Sequence, residues 1–171
     1  MHRRDGFTLI ELLIVVSVIG ILAALATPGL LRARGAGNEA SAIGSVRAVI
    51  EGQTAFAASC GGGGYAGTLT ALATALPGGH AFISPDLAGG IKSGYAFVNA
   101  GSGLVVLPAA VTCNAEADAR GAYLVTATPL SVGSTGHRSF GADQRGAIYQ
   151  DTTGAVFVAP LAQGGSITVI Q

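Results

Sequence analysis

The chain has 171 residues, half of them hydrophobic and only 11% charged, and nine Lys+Arg balance nine Asp+Glu for a formal net charge of zero. A neutral chain has no basic excess to neutralise a phosphate backbone, so there is no direct case for nucleic acid as a partner. Two cysteines rule out a disulfide-dense scaffold but allow one bridge, and 27 glycines without a three-residue period rule out collagen.

Residues 1–6 read Met-His-Arg-Arg-Asp-Gly, and the chain turns apolar at Phe7. Residues 12–31 contain no charged side chain. As a helix that stretch measures about 30 Å, the thickness of bilayer hydrocarbon. Arg3 and Arg4 precede the run, and Arg32 and Arg34 follow it. Basic residues before an apolar run also suit an export signal, and the small residues at 23–27 imitate a cleavage site. The run is too long for a disposable signal core, and Glu11 near its start has no use in one. A carboxylate inside a membrane helix costs about 2.5–3.5 kcal/mol on insertion scales. Glu11 therefore has two readings: it reaches the headgroups at the interface, or it meets a cation at its own depth. The run holds no Lys, Arg or His. Cleavage after Gly6 would create that cation as the Phe7 amine, and Glu11 of one molecule would then face the amine of another.

The run Gly6-Phe7-Thr8-Leu9-Ile10-Glu11-Leu12-Leu13-Ile14-Val15-Val16 closely resembles the N-terminal signature of type IV pilins and type II secretion pseudopilins. The resemblance covers about the first thirty residues. It implies a leader at 1–6 removed by a prepilin peptidase after Gly6, Phe7 as the N-methylated mature terminus, and Glu11 pairing with a neighbour's Phe7 amine during assembly. It further implies a homopolymeric filament, pilus or type II secretion assembly machinery as partners, and no enzyme activity or cofactor. The protein would sit as a single-pass protein in a bacterial inner membrane before assembly. Afterwards it would stand in a surface pilus or a periplasmic pseudopilus. A type IV pilus subunit is the first reading; a type II secretion pseudopilin or a minor pilin is the alternative.

The remaining elements follow in chain order. Residues 7–58 read as one long helix with a loosened middle, because Pro28 lacks a backbone donor and Gly29 weakens helix, marking a helix break. The expected division is a membrane and assembly helix at 7–31, an amphipathic half at 32–59 and a globular head at 60–171. Ile43, Val46, Val49 and Ile50 form an apolar stripe, with Glu39, Arg47 and Glu51 largely off it. Asn38 or Ser41 would cap a restart of the helix. Cys60 closes the helix, and Gly61-Gly62-Gly63-Gly64 reads as a flexible exit, since no Lys-Ser or Lys-Thr follows to make a phosphate loop. Leu69, Leu72 and Leu76 predict a short helix ended by Pro77.

Strand signals then run through 95–98, 104–107, 123–126 and 138–140, a turn at 143–146, 147–149, 156–158 and 167–170. The predicted fold is α+β: the long helix packed on a small antiparallel sheet of about four to six strands. If the head lies outside the cytoplasm, Cys60 and Cys113 pair, a tie worth about 4 kcal/mol in the chain-entropy picture. His80 and His137 lack ligand spacing, and no Cys/His cluster or Ser-His-Asp set stands out, so neither a catalytic nor a metal site is expected. Asp143 and Asp151 are the residues to test for calcium, though isolated aspartates more commonly shape turns. A membrane-anchored enzyme or ligand-binding head is the contrasting class, and no convergent polar site supports it.

Overall fold

The computed structural model of the protein describes residues 7–75 and 78–170; Gly6, Leu76, Pro77 and their expected roles lie outside these. The chain forms two compact units, one ending at Arg34 and one spanning Gly35–Gln171. Helix α1, Leu9–Ser59, contributes to both.

The first unit is the N-terminal part of α1. It is long and apolar enough to cross a membrane, and none of its apolar window is buried. The helix passes through Pro28 and Gly29 without interruption, which corrects the expected break at those two residues. Proline removes one i to i−4 hydrogen bond, yet the helix runs on through it, and the Thr27 hydroxyl donates to the Ala23 carbonyl at 2.8 Å.

In the second unit the remainder of α1 covers an antiparallel sheet. The strands are β1 Tyr65–Ala66, β2 Ile91–Lys92, β3 Tyr95–Leu107, β4 Ala119–Pro129, β5 Ser139–Asp143, β6 Ile148–Asp151 and β7 Ile167–Val169. They run in the order β2-β3-β4-β5-β6-β7, with β1 paired to β4. Seven strands among the described residues exceed the expected four to six, because two-residue strands carry too little periodicity to register in sequence. The runs at 95–98 and 104–107 are one strand, β3, whose register against β4 shifts between Ser102 and Val105 and again before Leu107. The expected strand at 156–158 does not form. Phe157 instead buries its ring over Gly141, where a Cβ would come within 2.9 Å of it, and joins Tyr149 and Leu161 in a small second cluster.

The main core is set by α1. Ala42, Val46, Val49 and Phe56 are fully buried, with Ile43 and Ile50 packed at the edge, so the stripe read from sequence is the face turned to the sheet. No second helix start occurs at residues 38–41. Asn38 donates to the Thr135 carbonyl at 2.9 Å and the Ser41 hydroxyl to that of Ser93 at 2.9 Å. Both candidate caps are therefore spent on the head.

Gln53 is fully buried and works as a backbone surrogate. Its side-chain carbonyl accepts from the Ala66 N–H at 2.8 Å, and its amide donates to the Ala66 carbonyl at 2.9 Å and to Asn99 Oδ1 at 3.1 Å. Asn99 donates to the same carbonyl at 2.9 Å. Strand β1 is thus held to α1 and β3 by side chains. Gln53→Leu would strand the Ala66 N–H in the core, and an unsatisfied buried donor costs about 1–3 kcal/mol. Thermal unfolding of the detergent-solubilised protein is expected to register that loss, and an unchanged midpoint would show the network to be dispensable.

The tetraglycine is not a flexible exit. The N–H groups of Cys60 and Gly61 bond the Phe56 carbonyl, each at 2.8 Å, and that of Gly63 bonds Ala57 at 2.9 Å, closing the helix as a left-handed cap with Gly62 and Gly63 at positive φ. Gly64 is pressed against the sheet: a Cβ there would stand 2.8 Å from Val106 and 3.0 Å from Ala119. Glycine is needed for close approach as well as for the turn. Gly64→Ala is expected to lower stability by about 1–3 kcal/mol through overpacking, read in the same unfolding measurement.

Candidate functional site

The first described residues form a reciprocal cap. Thr8 donates to Glu11 Oε2 through its backbone N–H at 2.9 Å and its hydroxyl at 2.6 Å, while the Glu11 N–H reaches Thr8 Oγ1 at 3.3 Å. Threonine before the first helical turn and glutamate three residues later make a capping box. The carboxylate also sits in the first turn, where the helix dipole favours negative charge. Sequence reading singled out Glu11 but passed over Thr8, although the Thr-x-x-Glu spacing ahead of an apolar run is the signal that would have found it. Phe7 stands beside this box, 88% exposed. Leu9 to Leu31 follow with their large apolar side chains exposed. The carboxylate is thus held at the start of an uncovered apolar helix by the two Thr8 donors.

The head holds the second group of expected residues. Cys60 and Cys113 form a disulfide across 53 residues, and the Cys113 N–H points at Cys60 Sγ at 3.1 Å. The bridge ties the end of α1 to the segment before β4. Asp143 and Asp151 are turn formers. The Asp143 carboxylate accepts from the Arg145 backbone at 3.0 Å and from its guanidinium Nη2 at 2.7 Å. Asp151 accepts from the Thr153 N–H at 2.7 Å and hydroxyl at 2.6 Å. Burial pushes the Asp151 carboxyl up, but those Thr153 donors outweigh it and leave the group below its ordinary value. No group of three or more metal-ligating side chains occurs among the described residues.

Glu39, read from sequence as largely off the apolar stripe, is buried. Its carboxylate accepts from the backbone N–H groups of His137 and Arg138 at 2.8 and 3.2 Å and from Arg138 Nε at 2.8 Å, with an ion pair to Nη2 at 2.6 Å. Arg138 also donates to Gln150 at 2.7 Å and lies over the Phe140 ring. The Tyr95 hydroxyl donates to the Arg138 carbonyl at 2.8 Å. Burial, helped by the Glu39 charge, pushes that phenol up to about 12, so it stays a donor. Glu39 is thus an anchor between α1 and the start of β5.

Comparison with known proteins matches only part of the chain. A family model described as the prokaryotic N-terminal methylation motif matches residues 1–27. The type IV major pilin protein PilA of Myxococcus xanthus is 43% identical over 54 residues, 32% of this chain and 24% of the relative. The type IV wide pilus major component PilA4 of Thermus thermophilus is 56% identical over 39 residues, 23% of this chain and 30% of the relative. The fimbrial protein EcpB of Eikenella corrodens is 64% identical over 28 residues, 16% and 18% respectively. The chain spans less than a third of the length of each of these relatives. No solved structure matches. Residues 1–27 carry the prokaryotic N-terminal methylation motif, the chain has a pilin-like α+β fold, and the relatives it matches over 39 and 54 residues are type IV pilins.

Proposed function

We propose that the chain is the structural subunit of a type IV pilus. The observation that carries this is the uncovered apolar helix with Glu11 fixed in its first turn beside Phe7. In this reading residues 1–6 are a leader, and a prepilin peptidase hydrolyses the Gly6–Phe7 bond at the cytoplasmic face. Phe7 becomes the N-terminal residue and is methylated on its nitrogen. The mature chain, with assembly helix 7–31, amphipathic half 32–59 and head 60–171, waits in the inner membrane. Assembly machinery then draws it into a filament at the cell surface. Each large apolar side chain that passes from exposure to burial contributes about 1.5–3 kcal/mol, so helix packing supplies the cohesion in a water-exposed fibre. The head, closed by its disulfide and with every buried polar side-chain atom among the described residues satisfied, is built as a surface-bearing body.

The test is mass spectrometry of sheared surface filaments. The expected subunit begins at Phe7 with one added methyl group; a chain still beginning at Met1, or filaments lacking this subunit, would overturn the reading. Deletion of the gene separates a pilus from a type II secretion pseudopilus, since the first loses surface fibres and the second loses secreted proteins.

A further inference from the structure

A census of charge in the described residues leaves an imbalance with a direction. Within the second unit, Asp86 pairs with Lys92, Asp118 with Arg120, Glu39 with Arg138 and Asp143 with Arg145. Asp151 is satisfied by Thr153, and Arg47 has its own interaction. Among the described residues, Arg32, Arg34, Glu51 and Glu116 make no ion pair or hydrogen bond through their charged groups within the chain. The two cations lie just past the apolar run, whereas the acids lie farther along the chain, Glu51 in the second half of α1 and Glu116 in the head.

Glu51 is placed where a partner can be received. It stands on the wall of an open groove of about 720 Å³ between α1 and the segment before the first short 3-10 turn at Pro85–Leu87. The rest of the wall is mostly small and apolar, including Ala48, Ala55, Ala73 and Phe82, and His80 lines it too. Glu116 does not line it. An apolar groove with one acid on its wall suits a helix that presents an aliphatic side chain and a cation on one face. Leu30 and Arg34 are such a pair: they are four residues apart, hence on the same helical face, and Leu30 is 61% exposed.

We infer that the groove beside Glu51 receives the Leu30 and Arg34 face of a second copy of this chain, with Leu30 against the alanines and Arg34 paired to Glu51. The inference rests on the filament reading, in which all copies enter from one membrane in one direction. Among parallel helices, a contact between residue 34 of one copy and residue 51 of the next requires an axial shift. A shifted contact cannot be returned by the same two copies, so each copy offers its Arg34 to one neighbour and its groove to another. That is a head-to-tail interface, which propagates into an open helical polymer.

The test is a charge-reversal cycle in cells expressing the full chain. Arg34→Glu and Glu51→Arg are each expected to cut the yield of sheared filaments by at least about tenfold, since like charges juxtaposed at an interface are strongly unfavourable. The double variant is expected to recover to within about twofold of the parent. Single variants at parental yield, or a double variant no better than the singles, would overturn the inference. Folding of each variant is checked by the resistance of Cys60 and Cys113 to thiol labelling in membranes. As an independent measurement, one copy carrying Arg34→Cys is co-expressed with a differently tagged copy carrying Glu51→Cys, and mild copper oxidation is applied. A dimer bearing both tags is expected, and its absence would count against the contact even if a reversal variant misfolds. Failure of the parent chain to form filaments is a different result, because it removes the function proposed above and this contact with it.

Discussion

Cells carrying Glu11→Gln are expected to make as few filaments as cells carrying Glu11→Ala, at least about tenfold below the parent, the loss that follows from about 1.4 kcal/mol per assembly contact. The choice of glutamine separates two roles that alanine confounds. In the isolated chain the carboxylate closes a capping box with Thr8, and glutamine at that position still serves a capping box. If capping were its only task, Glu11→Gln would assemble normally and Thr8→Ala would be the damaging change, at about 1 kcal/mol of helix stability. If the charge receives a neighbour's Phe7 amine, the neutral side chain fails although the cap persists. The cap then has a consequence for assembly, because it holds the carboxylate at one height before any partner arrives. Filament yield by shearing and immunoblot, with helicity of the solubilised subunit as the control, decides between the two.

The parts of this protein legible in sequence are those whose cause is local. The apolar run at 12–31, the amphipathic stripe on α1 and the turn at Asp143 announce themselves by composition and spacing over a few residues, and the structure places them accordingly. What sequence hid depends on partners far along the chain. Glu39 finds His137 and Arg138 98 and 99 residues away. Gln53 finds Ala66 and Asn99, 13 and 46 residues away. A polar residue beside an apolar stripe reads as solvent-facing until the segment that satisfies it is in view, and no periodicity carries that information. The tetraglycine misled for a related reason. Glycine marks freedom when nothing surrounds it, but here Val106 and Ala119 approach so closely that glycine is required by contact. Local propensity likewise misled at Pro28 and Gly29, which weaken a helix on their own yet lie inside an unbroken one.

Glu39 also makes the head acid-sensitive in a way a single substitution can isolate. Glu39→Ala removes the acceptor for four donors and leaves the Arg138 guanidinium with Gln150 and solvent. Breaking a wholly buried pair costs about 3–5 kcal/mol. Arg138 keeps 38% of its side chain exposed, so screening lowers the expected loss to about 2–3 kcal/mol, or roughly 6–12 °C in the melting midpoint of a head this size. Burial pushes the Glu39 carboxyl up, but the His137 and Arg138 donors and the Arg138 charge outweigh it and hold the group below its ordinary value of 4.5. A carboxyl depressed by folding stabilises the folded state above its unfolded value. That contribution disappears as pH falls through the depressed one. The parent protein is therefore expected to lose stability as pH drops below about 4.5, with Asp151 and Asp86, depressed as well, contributing to the same descent. Glu39→Gln should begin less stable at neutral pH and descend less steeply, so that the two melting curves converge in acid. Parallel curves for parent and variant would show that the carboxylate of Glu39 carries no net charge-dependent stability and that the anchor between α1 and β5 is held by packing alone.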